Sequence, residues 1–230
     1  MSWINDYLDH TLDITCLLRA NAECNCAKNI QEVSKKIVET LIDVPCSKLI
    51  EYIDHFPITS IDVSTVPQFS DFNDSTIHLI DVLKNGPQTY EELGLKLFDG
   101  KNNSVSSTKY GENHAKLGTL LDLAMIREQQ CTSGTKTIVM LSPIGDYIST
   151  LEHKIQQSVI TKLCYRIEII QQLIIHTKNS KCVKMIDLLS KSGAKASTIA
   201  RRSPNVKKIV ERLISTDEID VSIRLSRIIL

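Results

Sequence analysis

The 230-residue chain has few aromatic residues and no apolar run long enough to span a membrane. Aromatic side chains make up 5% of the sequence, so we expect a core of isoleucine, leucine and valine. The most apolar segment, Ile167 to Ile175, is too short and too polar to cross a bilayer. The N-terminus lacks a basic region followed by an apolar stretch, so no signal peptide is predicted. These absences favour a cytoplasmic protein with no membrane partner.

Enzymatic and metal-binding signatures are also missing from the sequence. There is no glycine-rich phosphate loop, no Gly-x-Ser-x-Gly elbow and no His-Glu-x-x-His motif. No pair among the seven cysteines has the two-residue gap typical of zinc sites. Cys24 and Cys26, with Cys16 and His10 upstream, have the chemistry of metal ligands, but reduced cytosolic thiols are the preferred interpretation. We therefore assign no catalytic residue, metal or cofactor, and leave open whether the chain is an enzyme.

The net charge is zero, but its distribution is uneven. Residues 1–76 hold 5 basic and 12 acidic side chains, residues 77–150 hold 7 and 8, and residues 151–230 hold 15 and 7. The last third therefore carries a net charge of +8. Two interpretations stay open: this third binds a polyanion such as nucleic acid, or the acidic first third packs against it.

Residues 1–73 are predicted to form an acidic helical region. Between Asn29 and Leu41, apolar residues recur at steps of three and four, which indicates one face of a helix. A second short helix is predicted from Ser47 to Phe56, where Pro57 ends it. The segment from Ile58 to Asn73 is predicted to be a connector that runs over the surface.

Residues 74–151 show a second pattern, which begins with two short helices. Apolar residues from Ile77 to Leu83 indicate the first helix, and Asn85-Gly86-Pro87 stops it. Thr89 and Glu92 have the spacing of a capping box, which opens a second helix that runs to Leu97 or Phe98.

A third helix, a hairpin and a closing helix follow in this region. The third helix places its apolar residues on a buried face (Leu117, Leu120, Leu121, Ala124), with His114 directed inward. Strands from Ile126 to Gln129 and from Lys136 to Leu141 flank a short turn, and Ser142-Pro143 begins the closing helix. This order predicts a mainly α chain with a winged helix-turn-helix, namely three helices and a β-hairpin wing. Helical N- and C-terminal regions flank it.

Residues 152–230 are predicted to form a long helix that runs to Asn179, followed by a basic helical segment. Along the long helix, five apolar residues have the spacing of a coiled-coil seam (Ile160, Leu163, Ile167, Ile170, Ile174). This seam either forms a homodimer or packs on the N-terminal helices of the same chain. The basic segment is predicted to hold three short helices, one around Ile186, one from Ala196 to Arg202 and one capped by Ser203-Pro204. They form either a second helix-turn-helix or a purely structural helical subdomain.

The candidate DNA-contacting residues follow from this arrangement. A recognition helix needs a polar N-terminal part with flanking cations, because side chains there reach base edges while lysines and arginines hold phosphates. Asn113 can pair with adenine, and Lys109 or Lys116 with guanine or phosphate. The alternative is that they are ordinary solvent-facing residues. The candidates lie before and on the third helix (Ser106, Ser107, Thr108, Lys109, Glu112, Asn113, Lys116), at the wing (Thr132, Ser133, Lys136) and in the basic segment (Lys195, Arg201, Arg202, Lys207, Lys208).

A resemblance is carried by the stretch from Ser107 to Ile126, Ser-Thr-Lys-Tyr-Gly-Glu-Asn-His-Ala-Lys-Leu-Gly-Thr-Leu-Leu-Asp-Leu-Ala-Met-Ile, together with the following hairpin and Leu141-Ser-Pro-Ile-Gly-Asp-Tyr147. It is similar to the winged helices of antibiotic-resistance-type repressors and of restriction-endonuclease recognition subdomains. The resemblance covers about a third of the chain and implies DNA contact by Ser107 to Lys116 and by the wing. The long polar link from Lys101 to Ser106 departs from the shorter turn of the repressors.

These observations predict sequence-specific binding of double-stranded DNA through tandem helix-turn-helix units. Because of the long link, the DNA-recognition domain of a restriction endonuclease is the preferred context. A winged-helix transcriptional regulator is the alternative, and an adaptor that binds protein without touching DNA is another.

Overall fold

The computed structural model describes residues 2–10, 27–98, 105–131 and 134–230. Cys16, Cys24 and Cys26, most of the polar link after Phe98, and the wing-tip residues Thr132 and Ser133 lie outside these ranges. The described chain is mainly helical with a small antiparallel sheet, as predicted. None of the helices in these ranges combines the length and apolar character that a membrane span requires.

In chain order, the helices are α1 (Ser2–Leu8), α2 (Ala27–Asp43), α3 (Cys46–Ile53), α4 (Ile77–Leu83), α5 (Tyr90–Phe98), α6 (Ser107–Leu120), α7 (Pro143–Ile148), α8 (His153–Leu163), α9 (Glu168–Asn179), α10 (Met185–Ser190), α11 (Ala196–Ile214) and α12 (Ile219–Leu225). The strands are β1 (Gln88–Thr89), β2 (Ala124–Cys131), β3 (Gly134–Leu141), β4 (Val183–Lys184) and β5 (Ile228–Ile229).

The chain divides into two compact units that each gather separate stretches. We call residues 14–39 and 68–160 the hairpin unit, and residues 1–13, 40–67 and 161–230 the C-terminal unit. Division by composition gives three consecutive regions instead, because charge and periodicity are local properties, whereas a compact unit is defined by long-range contacts.

The hairpin unit contains a three-stranded antiparallel sheet with the strand order β1-β3-β2. β3 is the central strand, where Val139 pairs with Gln88 of β1 and with Ile126 of β2. Because side chains alternate across a strand, Ile126 and the fully buried Val139 face the core, and the next pair, Arg127 and Ile138, faces away from it.

The core of the hairpin unit lies between this sheet and α4 to α6. Its buried residues come from all of these helices and from the hairpin (Leu79, Leu83, Leu93, Leu97, Tyr110, Ala115, Ala124, Val139). Two helix starts predicted from the sequence, at Thr89 and at Ser142, are confirmed. The Thr89 amide donates to the Glu92 carboxylate at 2.8 Å, and the Glu92 amide donates to Thr89 Oγ1 at 3.3 Å. The Gly145 amide donates to Ser142 Oγ at 2.9 Å, at the start of α7.

The C-terminal unit contains α3, α9, α11 and α12. The prediction of one long helix to Asn179 is wrong, since the chain forms α8 and α9 there, with a 3-10 turn from Cys164 to Arg166 between them. The five seam residues are buried within the chain, between 0% and 1% exposed. The proposed dimer seam therefore offers no surface to a partner, in agreement with the alternative of packing inside one chain. α9 packs on α3, and Gln171 donates to the Leu8 carbonyl of α1 at 2.7 Å.

An ion pair joins acidic and basic parts of the chain within this unit. Arg224 of α12 donates to the Asp54 carboxylate through its two terminal nitrogens, with Nη1 at 2.7 Å. Its Nε donates to Thr177 Oγ1 at 3.0 Å. Glu218 accepts hydrogen bonds from the amides of Cys46 and Ser47 at the start of α3. One acidic residue of the first third, Asp54, thus pairs with a basic residue of the last third.

Two further sequence predictions need correction. α11 is one helix from Ala196 to Ile214 that continues through Pro204, whereas the sequence predicted a break at Ser203. Proline removes the hydrogen bond to the Ala200 carbonyl, but both residues are exposed, so water can satisfy that oxygen. The buried stripe of α11 (Ile199, Val206, Ile209, Val210, Leu213) runs past this point and holds the helix together. The connector from Ile58 to Asn73 is not confined to the surface, since Ile61, Val63, Val66 and Phe69 are buried.

Candidate nucleic-acid interface

α6 is held against α5 by a close crossing of two glycines. A Cβ atom on Gly94 would lie 1.8 Å from the Ser107 carbonyl oxygen, and one on Gly111 would lie 2.0 Å from that of Tyr90. The two helix backbones therefore approach as closely as only glycine allows. At this crossing no side chain separates the backbones of α5 and α6.

The solvent side of α6 carries a short chain of charges. Glu112 Oε2 accepts a hydrogen bond from Lys109 Nζ at 2.7 Å, and Glu112 Oε1 accepts one from Lys116 Nζ at 2.5 Å. These two hydrogen bonds lower the pKa of Glu112 below its ordinary value. The lysine side chains are 51% and 59% exposed, so both remain accessible to an anion.

The other residues predicted on this helix have different positions. Ser106 is the N-cap, and its Oγ accepts a hydrogen bond from the Lys109 amide at 3.3 Å, so it stabilises the helix start. Thr108 is exposed, whereas Ser107 and Asn113 are half-buried. The candidates from Ser106 to Lys116 thus lie together on and around the N-terminal turns of α6.

The hairpin adds one cation that sequence reasoning missed. Lys136 on β3 is exposed and pairs with Gln129 on β2. Arg127, two residues before Gln129, is exposed on the same outer face. The alternation of β2 was the signal that could have identified Arg127.

Acidic side chains also lie on α5 and α6. Glu91 and Glu92, in the first turn of α5, are exposed. Together with Glu112, they oppose the approach of a polyanion to the hairpin unit. The charge of this unit is therefore mixed.

The exposed side of α11 is much more basic. Lys195 is its N-cap residue and is exposed, as are Arg201, Lys207 and Lys208. Lys207 forms an ion pair with Glu211 at 3.8 Å, between two side chains that are about half exposed. α10 precedes α11, and a turn that contains Gly193, with φ of +73°, joins them.

Arg202 does not belong to this basic surface, although the sequence predicted contact with DNA. Its guanidinium donates a hydrogen bond to the Val66 carbonyl, and burial together with the neighbouring Arg201 lowers its pKa. Arg202 anchors α11 within the C-terminal unit. Ile186, predicted on an apolar helix face, is 46% exposed.

Behind α6 lies a buried polar cluster that the sequence did not reveal. Tyr110 and His114 are one turn apart on α6, with ring centroids 4.2 Å apart. The Tyr110 hydroxyl donates to the Asp74 carboxylate, and His114 Nδ1 lies 2.5 Å from Ser75 Oγ. His114 is 0% exposed, which confirms that it points inward.

Among the described cysteines, Cys182 is exposed, whereas Cys46 and Cys164 are buried. Within the ranges listed above, no three His, Cys, Asp or Glu side chains are grouped so that they could hold a metal ion. Burial raises the pKa of Cys46 to about 11 and that of Cys164 to about 12. Both thiols are therefore protonated and weakly nucleophilic at neutral pH.

Comparisons of the chain with protein-family models, with curated proteins and with solved structures found no match.

Proposed function

We propose that this chain binds double-stranded DNA sequence-specifically, with α6 as a base-reading helix and α11 as a phosphate-binding helix. The observation that carries the proposal is the arrangement of the hairpin unit. Its elements follow the order helix, strand, helix, helix, strand, strand, and its sheet has the order β1-β3-β2. We assign this unit as a winged helix-turn-helix, in which α6 is the recognition helix and the β2–β3 hairpin is the wing.

The side chains on α6 suit the reading of bases. The N-terminal part of a recognition helix contacts base edges, and α6 presents Thr108, Lys109, Glu112 and Asn113 there, with Lys116 one turn further along the helix. The half-buried Asn113 suits adenine, and each lysine suits guanine or a phosphate. Because surface ion pairs contribute little free energy, the lysines can exchange Glu112 for DNA at small cost.

The phosphate contacts come mainly from the C-terminal unit in this proposal. Exposed cations release counterions when they meet a phosphate backbone, which favours binding at low salt. Lys195, Arg201, Lys207 and Lys208 on α11 are such cations. We propose that α10 and α11 form the second helix-turn-helix.

The biological context rests on the resemblance of the α6 region to known winged helices. It favours the DNA-recognition domain of a restriction endonuclease over a transcriptional regulator, because the link before α6 is long. An adaptor that binds protein instead of DNA is the competing function, and the exposed Glu91 and Glu92 on α5 favour it.

The first test measures binding of the full chain to a labelled random-sequence duplex over a salt series. We expect the logarithm of the affinity to fall linearly with the logarithm of the salt concentration, with a slope of roughly −0.9 per phosphate contact. No detectable binding at the lowest salt contradicts the proposal and leaves the adaptor.

The second test selects bound sequences from a random duplex library. Enrichment of a defined motif supports base reading, whereas retention of all sequences equally restricts the function to non-specific binding. A single-stranded library of the same composition is the control, because major-groove reading requires a duplex.

A further inference from the structure

The segment that precedes α4 is a rigid polar platform. We use this name for residues 70–76. The Asn73 amide donates to Asp71 Oδ1 at 2.8 Å, and Thr76 Oγ1 donates to the Phe72 carbonyl at 2.8 Å. Asp74, Ser75 and Thr76 are 0% exposed. Local side-chain hydrogen bonds thus hold this stretch in one conformation before α4 begins.

α6 is attached to the platform at two points one helical turn apart. Tyr110 donates to Asp74, whose other carboxylate oxygen lies 2.7 Å from His78 Nδ1. One turn later, His114 contacts Ser75 through Nδ1 at 2.5 Å and Ser70 through Nε2 at 3.1 Å. Buried hydrogen bonds are directional and costly to leave unmade, so both attachments restrict the helix to one position.

A displacement of α6 by one residue would break both attachments at once. Such a step moves a helix by about 1.5 Å along its axis and turns it by about 100°. Apolar contacts alone tolerate small rotations better, since they have no preferred direction. The two attachments therefore define both the axial position and the rotation of α6.

The attachments lie on the side of α6 opposite to its charged side. Tyr110 and His114 point to the platform, while Glu112 and Lys116, at positions half a turn away, extend toward solvent. Base reading requires side chains to be held within about 0.5 Å of a productive geometry. An error in the rotation of α6 would thus displace every contacting side chain together.

We propose that Asp74 and Ser75 are positioning residues, which set the orientation of α6 and thereby the base preference of the protein. This inference rests on the proposed function, because it assumes that α6 reads DNA. It predicts that loss of an attachment changes specificity more than it changes affinity for random DNA. A residue that only stabilises the fold has no such effect.

The experiment compares Tyr110→Phe and Ser75→Ala with the wild-type chain. Each variant removes one hydroxyl from one attachment and leaves the charged side of α6 unchanged. For each folded protein, the preferred motif is selected from a random duplex library, and affinities for that motif and for random duplex are measured. We expect discrimination to fall roughly tenfold, the size of one lost base contact, with affinity for random duplex within about twofold of wild type.

The control is Ile148→Val, a small deletion at a fully buried position of α7. Its urea midpoint is compared with those of the variants to separate lost stability from lost positioning. If both variants retain the wild-type motif and discrimination, the positioning role is wrong. If Tyr110→Phe does not fold, Ser75→Ala decides the question alone. If the wild-type chain itself enriches no motif, the proposed function fails and the inference fails with it.

Discussion

The two helices proposed to contact DNA, α6 and α11, differ in charge and in how they are held. α6 crosses α5 at Gly94 and Gly111 with almost no space between the backbones, and its two lysines share Glu112. α11 presents four exposed cations, and Glu211 pairs with one of them. Close backbone packing is thus found on the helix with few cations, whereas the more basic helix is held by an apolar stripe and by Arg202.

Under the proposed function, this difference would correspond to two tasks in nucleic-acid recognition. Contacts with bases depend on geometry, because donors and acceptors must match the edges in a groove, whereas contacts with phosphates depend on charge. The comparison predicts that variants of α11 change affinity for all sequences, and that variants of α6 change preference among sequences.

The largest effect is expected from removal of charge on α11. The triple variant Arg201→Gln, Lys207→Gln, Lys208→Gln should lose roughly a thousandfold in affinity for random duplex at about 50 mM salt. The slope of the logarithm of its affinity against the logarithm of the salt concentration should become shallower by about one unit for each removed cation. Fluorescence anisotropy with a labelled duplex measures both.

The control for this variant removes the same charge elsewhere. Lys35, Lys36 and Lys154 are exposed and lie on α2 and α8. Their combined replacement by glutamine should change affinity far less. Equal losses in the two triple variants would show that only total charge matters.

The next effect is expected on folding stability, at the crossing of α5 and α6 and at the turn between α10 and α11. Gly111→Ala should lower the free energy of unfolding by about 3 kcal/mol, because its Cβ would collide with backbone. Gly193→Ala, in the turn before α11, has nothing within 4 Å of the added atom and should cost about 1 kcal/mol from its positive φ alone. Urea unfolding measures both changes in the free energy of unfolding. A larger loss for Gly193→Ala than for Gly111→Ala would show that the turn before α11 is the more tightly constrained of the two positions.

A more local effect is expected at Asn113. Asn113→Ala should weaken binding to the selected site by about 1–3 kcal/mol and relax preference at one base pair. Thr119→Ala, further along α6 and also half-buried, is the matched control and should leave preference unchanged. A uniform loss across all sequences for Asn113→Ala is the result that excludes base reading.

The smallest effect is expected at Glu112, where a substitution should raise the affinity for DNA and not lower it. Glu112→Gln removes the negative charge between Lys109 and Lys116, so affinity for random duplex should rise several-fold, with a steeper salt dependence. Reduced affinity for random DNA would show that Glu112 itself holds the lysines in a binding position.

The pKa of Glu112 determines how its ion pairs with Lys109 and Lys116 depend on pH. Because the lysines lower the pKa of Glu112 below its ordinary value of 4.5, the ion pairs contribute stability above that pH. This contribution disappears as the pH falls through the lower pKa of the folded state. Binding to random duplex between pH 6 and 8 should therefore show no change that depends on Glu112, which a comparison with Glu112→Gln at each pH checks.

Local signals in the sequence predicted much of the hairpin unit. The capping box at Thr89 and Glu92, the cap at Ser142 and the hairpin strands depend on residues close in sequence, so their patterns are visible without a structure. The structure extends β2 from Ala124 to Cys131, longer than predicted, because pairing with β3 continues into polar residues.

Features that depend on distant residues were not predictable in this way. The attachment of Tyr110 to Asp74 joins positions 36 residues apart, and nothing in the spacing of either residue indicates it. Arg202 has the sequence context of a surface cation, but the Val66 carbonyl binds it. The apolar residues from Ile160 to Ile174 keep a helical spacing across the break between α8 and α9. Periodicity alone therefore could not predict this break.

Pro204 divides the exposed cations of α11 into two pairs without ending the helix. Proline has no amide hydrogen, so the hydrogen bond to the Ala200 carbonyl is missing, while the buried stripe continues on both sides of it. Lys195 and Arg201 precede the proline, whereas Lys207 and Lys208 follow it. A bend at Pro204 would therefore change the distance between the two pairs and, under the proposed function, the phosphates that they reach.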